Sequence, residues 1–256
     1  MSDDIKIETG LGQAELHRIL VRNVDLTKDI LGKLSFGQMT FFMLVGRIPS
    51  ENEGRMTDAL LNVLVEHGMV GNVIAARLTV GTAPEAIQGA VAAALLGAGS
   101  VHLGSSEYSA KMLQDALPLD SEKKDLAAVA KGIVEDYAAR KQRIAGIGHG
   151  THSEGDPRAD RLYEIARETG VRGRYCELLE EIMKAAEERT KRRLPINVTG
   201  AIAAIASDME LPWQMAKSFA LIGRTLGAMA HIGEELKNPT ARKITNLVKQ
   251  SLSYKP

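Results

Sequence analysis

The stretch SENEGRMTDALLNVLVEHG, Ser50 to Gly68, decides the fold class. Ser50 and Glu53 stand at capping-box spacing, in which each end of the motif satisfies a free backbone N–H. Met56, Leu60, Leu61, Val63 and Leu64 then recur at helical rather than alternating spacing. The run stops at Glu66-His67-Gly68, where glycine takes a left-handed cap. The same grammar recurs along the chain. Ser35 with Gln38 forms another box, and Thr82 with Glu85 reads as a third, with Pro84 in the first turn. Between Ser121 and Arg143, the residues Leu126, Val129, Ile133, Val134 and Tyr137 form one stripe among charges. Asp156-Pro157 opens a helix that Gly170 closes. From Pro212, Met215, Phe219, Leu226 and Met229 continue the pattern. No set of β-branched runs stands at hairpin spacing. The sequence therefore reads as an all-α protein.

Its 256 residues suffice for one large domain or two small ones. Hydrophobic residues at 45% and charged residues at 25% exclude long-range disorder. Lys plus Arg (32) equals Asp plus Glu (32), so no bulk positive field exists to hold a nucleic acid or an anionic membrane. Aromatic residues are only 4%, too few for base-stacking platforms. The first ten residues lack a basic region followed by an apolar one. The longest weakly polar run, Gly89 to Val101, is shorter than the roughly 20 residues that span a bilayer. The single cysteine, Cys176, makes neither an internal disulfide nor a Cys-based zinc site, and a reducing, cytoplasmic compartment is expected. Residues 82–101 are Ala- and Gly-rich, 121–194 highly charged, and 195–236 again apolar and small. That shift suggests a discontinuous large domain, 1–110 and 213–256, with a smaller domain, 111–212, inserted.

Several polar residues sit in unusual places. Gly146-Ile147-Gly148-His149-Gly150-Thr151-His152 leads into Asp156-Pro157-Arg158. Its three glycines let backbone approach a ligand and leave N–H groups for phosphate or carbonyl oxygens. The segment follows a charged helix rather than a strand, which argues against a dinucleotide fold. His149, His152 and Asp156 also form a weak metal set, floppy because of the glycines between them. The bland alternative is a helix connection with two solvated histidines. His102 lies just before Ser105-Ser106-Glu107, a helix start. There an imidazole stays neutral and can donate an N–H to a developing oxyanion, or it simply caps a carbonyl. His67 fits a helix C-terminal cap. Arg224, between Gly223 and Gly227 in FALIGRTLGAMAH, must pair with an acid or bind an anion, and His231 shares its face. Arg158 is badly placed for the helix dipole, so an anionic partner would explain it. Glu187, Glu188 and Lys191-Arg192-Arg193 read as a solvated face.

Taken in order, these segments resemble the citrate synthase superfamily. GIGHGTHSEGDPRA (Gly146–Ala159) looks like its G-x-G-H…D-P-R-A segment, and HLGSSEYSAKML (His102–Leu113) like its H-G-G-A-N-E…K-M-L helix. NVTGAI (Asn197–Ile202) and IGRTLGAMAH (Ile222–His231) look like N-V-D-G/S and the R-T/S-x-G…A/G-H helix. In length the chain is similar to short citryl-CoA lyases and the lyase module of ATP-citrate lyase. The resemblance implies an all-α homodimer with a large and a small helical domain, binding an acyl-CoA and a polycarboxylate in the cleft between them. It implies that His102 hydrogen-bonds the thioester enolate oxygen and that His149 exchanges the substrate hydroxyl proton. It further implies that His67, Arg158 and Arg224 bind carboxylates, with Arg242 a candidate for an arginine given across the dimer. Gly146, Ile147 and Gly148 would lie along coenzyme A, a thioester substrate, and no metal is required. The chain departs from the family at Thr199, where N-V-D has a catalytic aspartate. Asp208, Glu154, His152 or a water would have to replace it. The implied reaction is cleavage of citryl-CoA or a related 3-hydroxy-3-carboxyacyl-CoA. The alternatives are a citrate-synthase-type condensation, a non-catalytic binder of coenzyme A and carboxylates, and, most remotely, a His-based metal hydrolase.

Overall fold

Ser35 and Ser50 each accept a backbone N–H three residues ahead, and Gln38 and Glu53 return the bond, so both capping boxes are complete. They start α1 (Phe36–Val45) and α2 (Glu51–Asn62). The computed structural model describes residues 7–99, 103, 105–122, 124–148 and 154–255. Beyond α2 the chain forms α3 (Gly71–Thr82), α4 (Ile87–Leu96), α5 (Ser105–Ala116), α6 (Leu126–Ala139), α7 (Pro157–Glu168), α8 (Arg174–Thr190), α9 (Val198–Asp208), α10 (Ser218–Lys237) and α11 (Ala241–Ser251). Asp125 caps α6, and Asp156, followed by Pro157, caps α7. The all-α reading holds for the bulk of the chain.

Two local expectations fail. Thr82 does not start a helix. It is the last residue of α3, and its hydroxyl bonds back to Leu78 O, while Pro84 follows a finished helix rather than opening one. The N-terminal segment also holds a three-stranded antiparallel sheet, β1 (Gly12–Ala14), β2 (Ile19–Val21) and β3 (Val24–Asp25), in that order. Arg22 and Asn23, with φ of 47° and 66°, make the tight turn between β2 and β3, the conformation that two-residue hairpins require.

Helix α9 occupies the centre. Val198 and Gly200 through Ser207 are all buried, and α5, α7 and α8 pack around it. Its small residues make close approach possible. A Cβ on Gly200 would sit on the carbonyl of Gly146, so these two backbones are in direct contact. A second cluster, Ala76, Val80, Ala90, Ala94, Ala228 and Ile232, joins α3, α4 and α10. Here too glycine sets the distance, because Cβ atoms on Gly223 and Gly227 would strike the carbonyls of Leu61 and Val65. Leu226 and Met229, which continue the apolar helical pattern in the sequence, are exposed on α10. Among the described residues, no helix is long and apolar enough to cross a membrane.

Gly200→Ala is expected to destabilise the protein by about 2 kcal/mol, because overpacking against a backbone carbonyl cannot relax by a rotamer change. Gly132→Ala, mid-helix in α6 with open space around it, is expected to stabilise by about 0.5–1 kcal/mol. Urea unfolding of both variants measures the contrast.

Candidate functional site

Two distant motifs are zipped together at the start of α9. Gly148 N–H donates to Pro195 O at 2.7 Å, and Asn197 N–H donates to Gly146 O at 3.0 Å, around an antiparallel bridge of Ile147 with Ile196. Gly146 and Gly148 have φ of 96° and 75°, which L side chains rarely adopt. The Gly148 N–H was expected to be free for a ligand oxygen, but it is spent on Pro195.

Asp156, with 0% exposure, completes the junction. Its Oδ1 accepts from Arg158 N at 3.1 Å and Arg158 Nε at 3.0 Å. Its Oδ2 accepts from Arg158 Nη2 at 3.0 Å and Val198 N at 2.8 Å. The anionic partner that Arg158 needed is thus its own helix cap, and the guanidinium is aimed by a two-point clamp. All the strong acceptor positions of Asp156 are occupied, so it has no lone pair to give a metal, which weighs against the metal set. His149 and His152, like His102, lie outside the described residues. Burial pushes the Asp156 carboxyl up, but the Arg158 guanidinium and the Val198 N–H outweigh it and hold it below the usual carboxylate range.

Thr199 stands in the first turn of α9, half-buried. Its hydroxyl donates to Asn197 Oδ1 at 2.7 Å and accepts from Ser105 Oγ at 2.9 Å. Asn197 is itself fixed, since Oδ1 also accepts from Gly200 N and Nδ2 donates to Gly148 O. The proposed substitutes for a carboxylate at this place divide clearly. Asp208 lies at the other end of α9, about 13 Å away along the axis. There it accepts from Gly173, Tyr175 and Cys176 N–H groups and so caps α8. Glu154 is exposed and pairs with Arg193. Neither faces Thr199.

Arg224 is 1% exposed, and among the described residues neither its Nε nor its Nη1 has a hydrogen-bond partner. Burial lowers its pKa and so does the like charge of Arg158, while Glu66 opposes them. The structure thus brings the fields of Arg158, Arg224 and Glu66 together. A buried guanidinium with unused donors is a site for an anion. His67 lies in the connection between α2 and α3, five residues beyond the end of α2, and not at a helix end as expected. Arg242 is exposed at the start of α11, a helix packed on α3. It is not among the charges that act most on Arg224.

Lys191, Arg192 and Arg193 are exposed, as a solvated face requires. With Lys184 and Arg167, and with as many carboxylates (Glu154, Asp160, Glu164, Glu180 and Glu187), they line a groove of about 1010 Å³ between α7 and α8, floored by Pro195 and Ile196. That floor is the strand paired with Gly146–Gly148. The run's position one residue before Pro195-Ile196-Asn197 was the available signal. Asn197 and Ser105 were inside quoted motifs but carried no role of their own. Arg77, on an apolar helix as Arg224 is, carried the same signal and was overlooked.

The chain matches the family model described as citrate synthase, C-terminal domain, over residues 13–245. It is similar to the structure of citryl-CoA lyase from Hydrogenobacter thermophilus, at 33% identity and TM-score 0.87, over 98% of this chain and 94% of that one. Its fold is also that of ATP citrate lyase from Methanothrix soehngenii, solved with citrate and coenzyme A, at 16% identity and TM-score 0.77, over 100% of this chain and 42% of that one. A citrate synthase of Synechocystis is 27% identical over 88% of this chain, and one of Heyndrickxia coagulans is 28% identical over 81%. The chain spans only 56% and 54% of those two relatives' lengths.

Asp156→Asn leaves Arg158 and its neighbours underpaired and is expected to cost about 3 kcal/mol, the scale for breaking a buried ion pair. The sign of the pH effect follows from the lowered carboxyl. Its stabilisation is complete above the unfolded value near about 3.9 and disappears as pH falls through the folded value. Unfolding free energy against pH should therefore show a shallower acid limb in Asp156→Asn than in the unsubstituted protein.

Proposed function

The chain belongs to the citrate synthase family, and from that premise we propose that it is a carbon–carbon lyase. It cleaves citryl-CoA, or a related 3-hydroxy-3-carboxyacyl-CoA, to an acyl-CoA and a 2-oxo acid. The observation that carries this reading is the likeness to citryl-CoA lyase over nearly the full length of both chains, where the synthase relatives match over about half of theirs. The buried Arg224 Nε and Nη1, unfilled among the described residues, support a polycarboxylate ligand. The cationic end of the groove at Lys191–Arg193, beside Gly146, Ile147 and Gly148, supports a coenzyme A thioester with its phosphates toward those three side chains.

In the proposed reaction His149 takes the proton of the substrate hydroxyl. The bond between the hydroxyl-bearing carbon and the acyl methylene breaks, and its electron pair passes to the thioester as an enolate. His102 donates an N–H to the enolate oxygen. Arg158, Arg224 and His67 hold the carboxylates of the departing oxo acid, with Arg242 a candidate for a contribution across a dimer. A proton then reaches the enolate carbon. Ile87 and Leu96 on α4 and Leu226 and Met229 on α10 are exposed on helices that pack on each other, which supports a homodimer. On this reading residues 1–110 and 213–256 form the large unit and 111–212 the small one.

The specific alternative is a protein that keeps the cleft and binds without turnover, favoured by Thr199, whose hydroxyl proton is committed to Asn197. Oxaloacetate release from citryl-CoA, coupled to malate dehydrogenase and NADH, separates the two. Turnover reduced about 10²–10⁴-fold in His149→Ala is the expected result, the usual scale for a lost general base. No turnover in the unsubstituted protein, with turnover appearing in Thr199→Asp, would establish the binding reading instead.

A further inference from the structure

Glu66 is close enough to Arg224 for its charge to act there, yet it does not pair with Arg224. Its Oε2 lies against α10 at Gly227, 3.8 Å from where a Cβ would be, one helical turn from Arg224. A free carboxylate there would close on Nε and Nη1 of Arg224 and fill the anion site from within. What holds it off is a chain of bonds on the far side. Glu66 Oε2 lies 2.8 Å from His231 Nε2, and Glu66 Oε1 accepts the Gly68 N–H.

The tautomer of His231 is dictated by Arg77. Guanidinium nitrogens donate and never accept. Arg77 Nε and Nη2 stand 3.1 and 2.7 Å from His231 Nδ1, so Nδ1 presents its lone pair and Nε2 carries the hydrogen that Glu66 receives. Arg77, 3% exposed, is fixed in turn by Glu234 and by buried Glu235 at 3.1 Å. Glu235 also accepts the N–H groups of Thr240 and Ala241 at the start of α11. The chain thus runs from α11 through Glu235, Arg77 and His231 to Glu66.

We propose that Arg77 and His231 are positioning residues that tether Glu66 beside Arg224 without letting it bind, so that Arg224 keeps its donors for an anionic ligand. Choosing a polycarboxylate as that ligand rests on the lyase reading, whereas the tether does not. The test is a double-substitution cycle on oxaloacetate affinity, read by calorimetry. His231→Phe frees Glu66 Oε2 while Oε1 keeps the Gly68 N–H, and affinity should fall at least about tenfold as Oε2 closes on Arg224. Glu66→Gln alone should bind at least as well as the unsubstituted protein, because a like charge beside the anion is removed, and the double variant should recover at least to within about threefold of the unsubstituted protein. A simple structural defect at residue 231 would not be repaired by Glu66→Gln. A double variant as weak as His231→Phe overturns the proposal, as does His231→Phe binding at full strength. If His231→Phe does not fold, His231→Asn keeps an acceptor for Arg77, lacks the reach to Glu66, and should give the same pattern.

A ligand-free measurement separates this proposal from the lyase reading. Nitrogen-15 NMR should find the His231 hydrogen on Nε2, and the Arg224 Nε–H proton should move downfield, as a hydrogen bond to a carboxylate requires, only when residue 231 is substituted. A hydrogen on Nδ1, or an Arg224 signal that does not change, overturns the tether. Absence of oxaloacetate binding in the unsubstituted protein, with both NMR results as expected, would count against the lyase reading and leave the tether supported.

Discussion

A single buried carboxylate, Asp156, holds the site together. A charge withdrawn from water is tolerable only when its bonding capacity is filled, and Asp156 fills it with four donors. Each bond has a separate structural effect. The Arg158 N–H starts α7, the Val198 N–H fixes the start of α9, and the bidentate guanidinium sets the direction of a cationic side chain. The paired strands at Gly146–Gly148 and Pro195–Asn197 then have one relative position available. Segments some fifty residues apart in sequence thereby become one surface, and the Gly146–Gly200 contact leaves no room for that surface to slide.

Arg224 follows the same physics to the opposite result. It is as deeply buried as Asp156, but its Nε and Nη1 are unfilled among the described residues. Gly223 and Gly227 press α10 onto the carbonyls of Leu61 and Val65, so the helix cannot turn to give the guanidinium to solvent. The fold therefore maintains a desolvated cation, a local cost that a bound anion would offset. A filled buried charge organises structure, and an unfilled one is where ligand binding is to be sought.

The helices were legible where their signals are local. Ser35, Ser50 and Asp156 cap through residues two or three positions away, so spacing in the chain equals spacing in the structure. Thr82 shows the limit of that logic. Its spacing to Glu85 is that of a capping box, but the same hydroxyl can bond backward to Leu78, and only the tertiary setting decides between them. The sheet escaped notice because strands of two or three residues have no measurable alternation. Leu226 and Met229 fit a helical period, yet period alone does not say which of two faces is covered. At the site, arginine on an apolar helix pointed to Arg224, but the partner of Arg158 stood two residues away and went unrecognised. Ser105 and Thr199, 94 positions apart, meet only through the packing of α5 on α9.

That meeting bears on how a proton is moved at this place. Asn197 donates from Nδ2 to Gly148 O and takes the Gly200 N–H at Oδ1, so its side-chain amide has one orientation. The hydrogens of the chain Ser105, Thr199, Asn197 then all point the same way, and the free end offers lone pairs rather than a proton. Such a chain can neither pull a proton from a thioester methyl group nor donate one directly. Removing that methyl proton and returning it to the enolate carbon are one step run in opposite directions, so a site without the carboxylate of N-V-D is handicapped equally for bond making and for bond breaking. With Ser105, Thr199 and Asn197 committed to one another, the group that moves this proton in either direction has to come from outside this chain of hydroxyls.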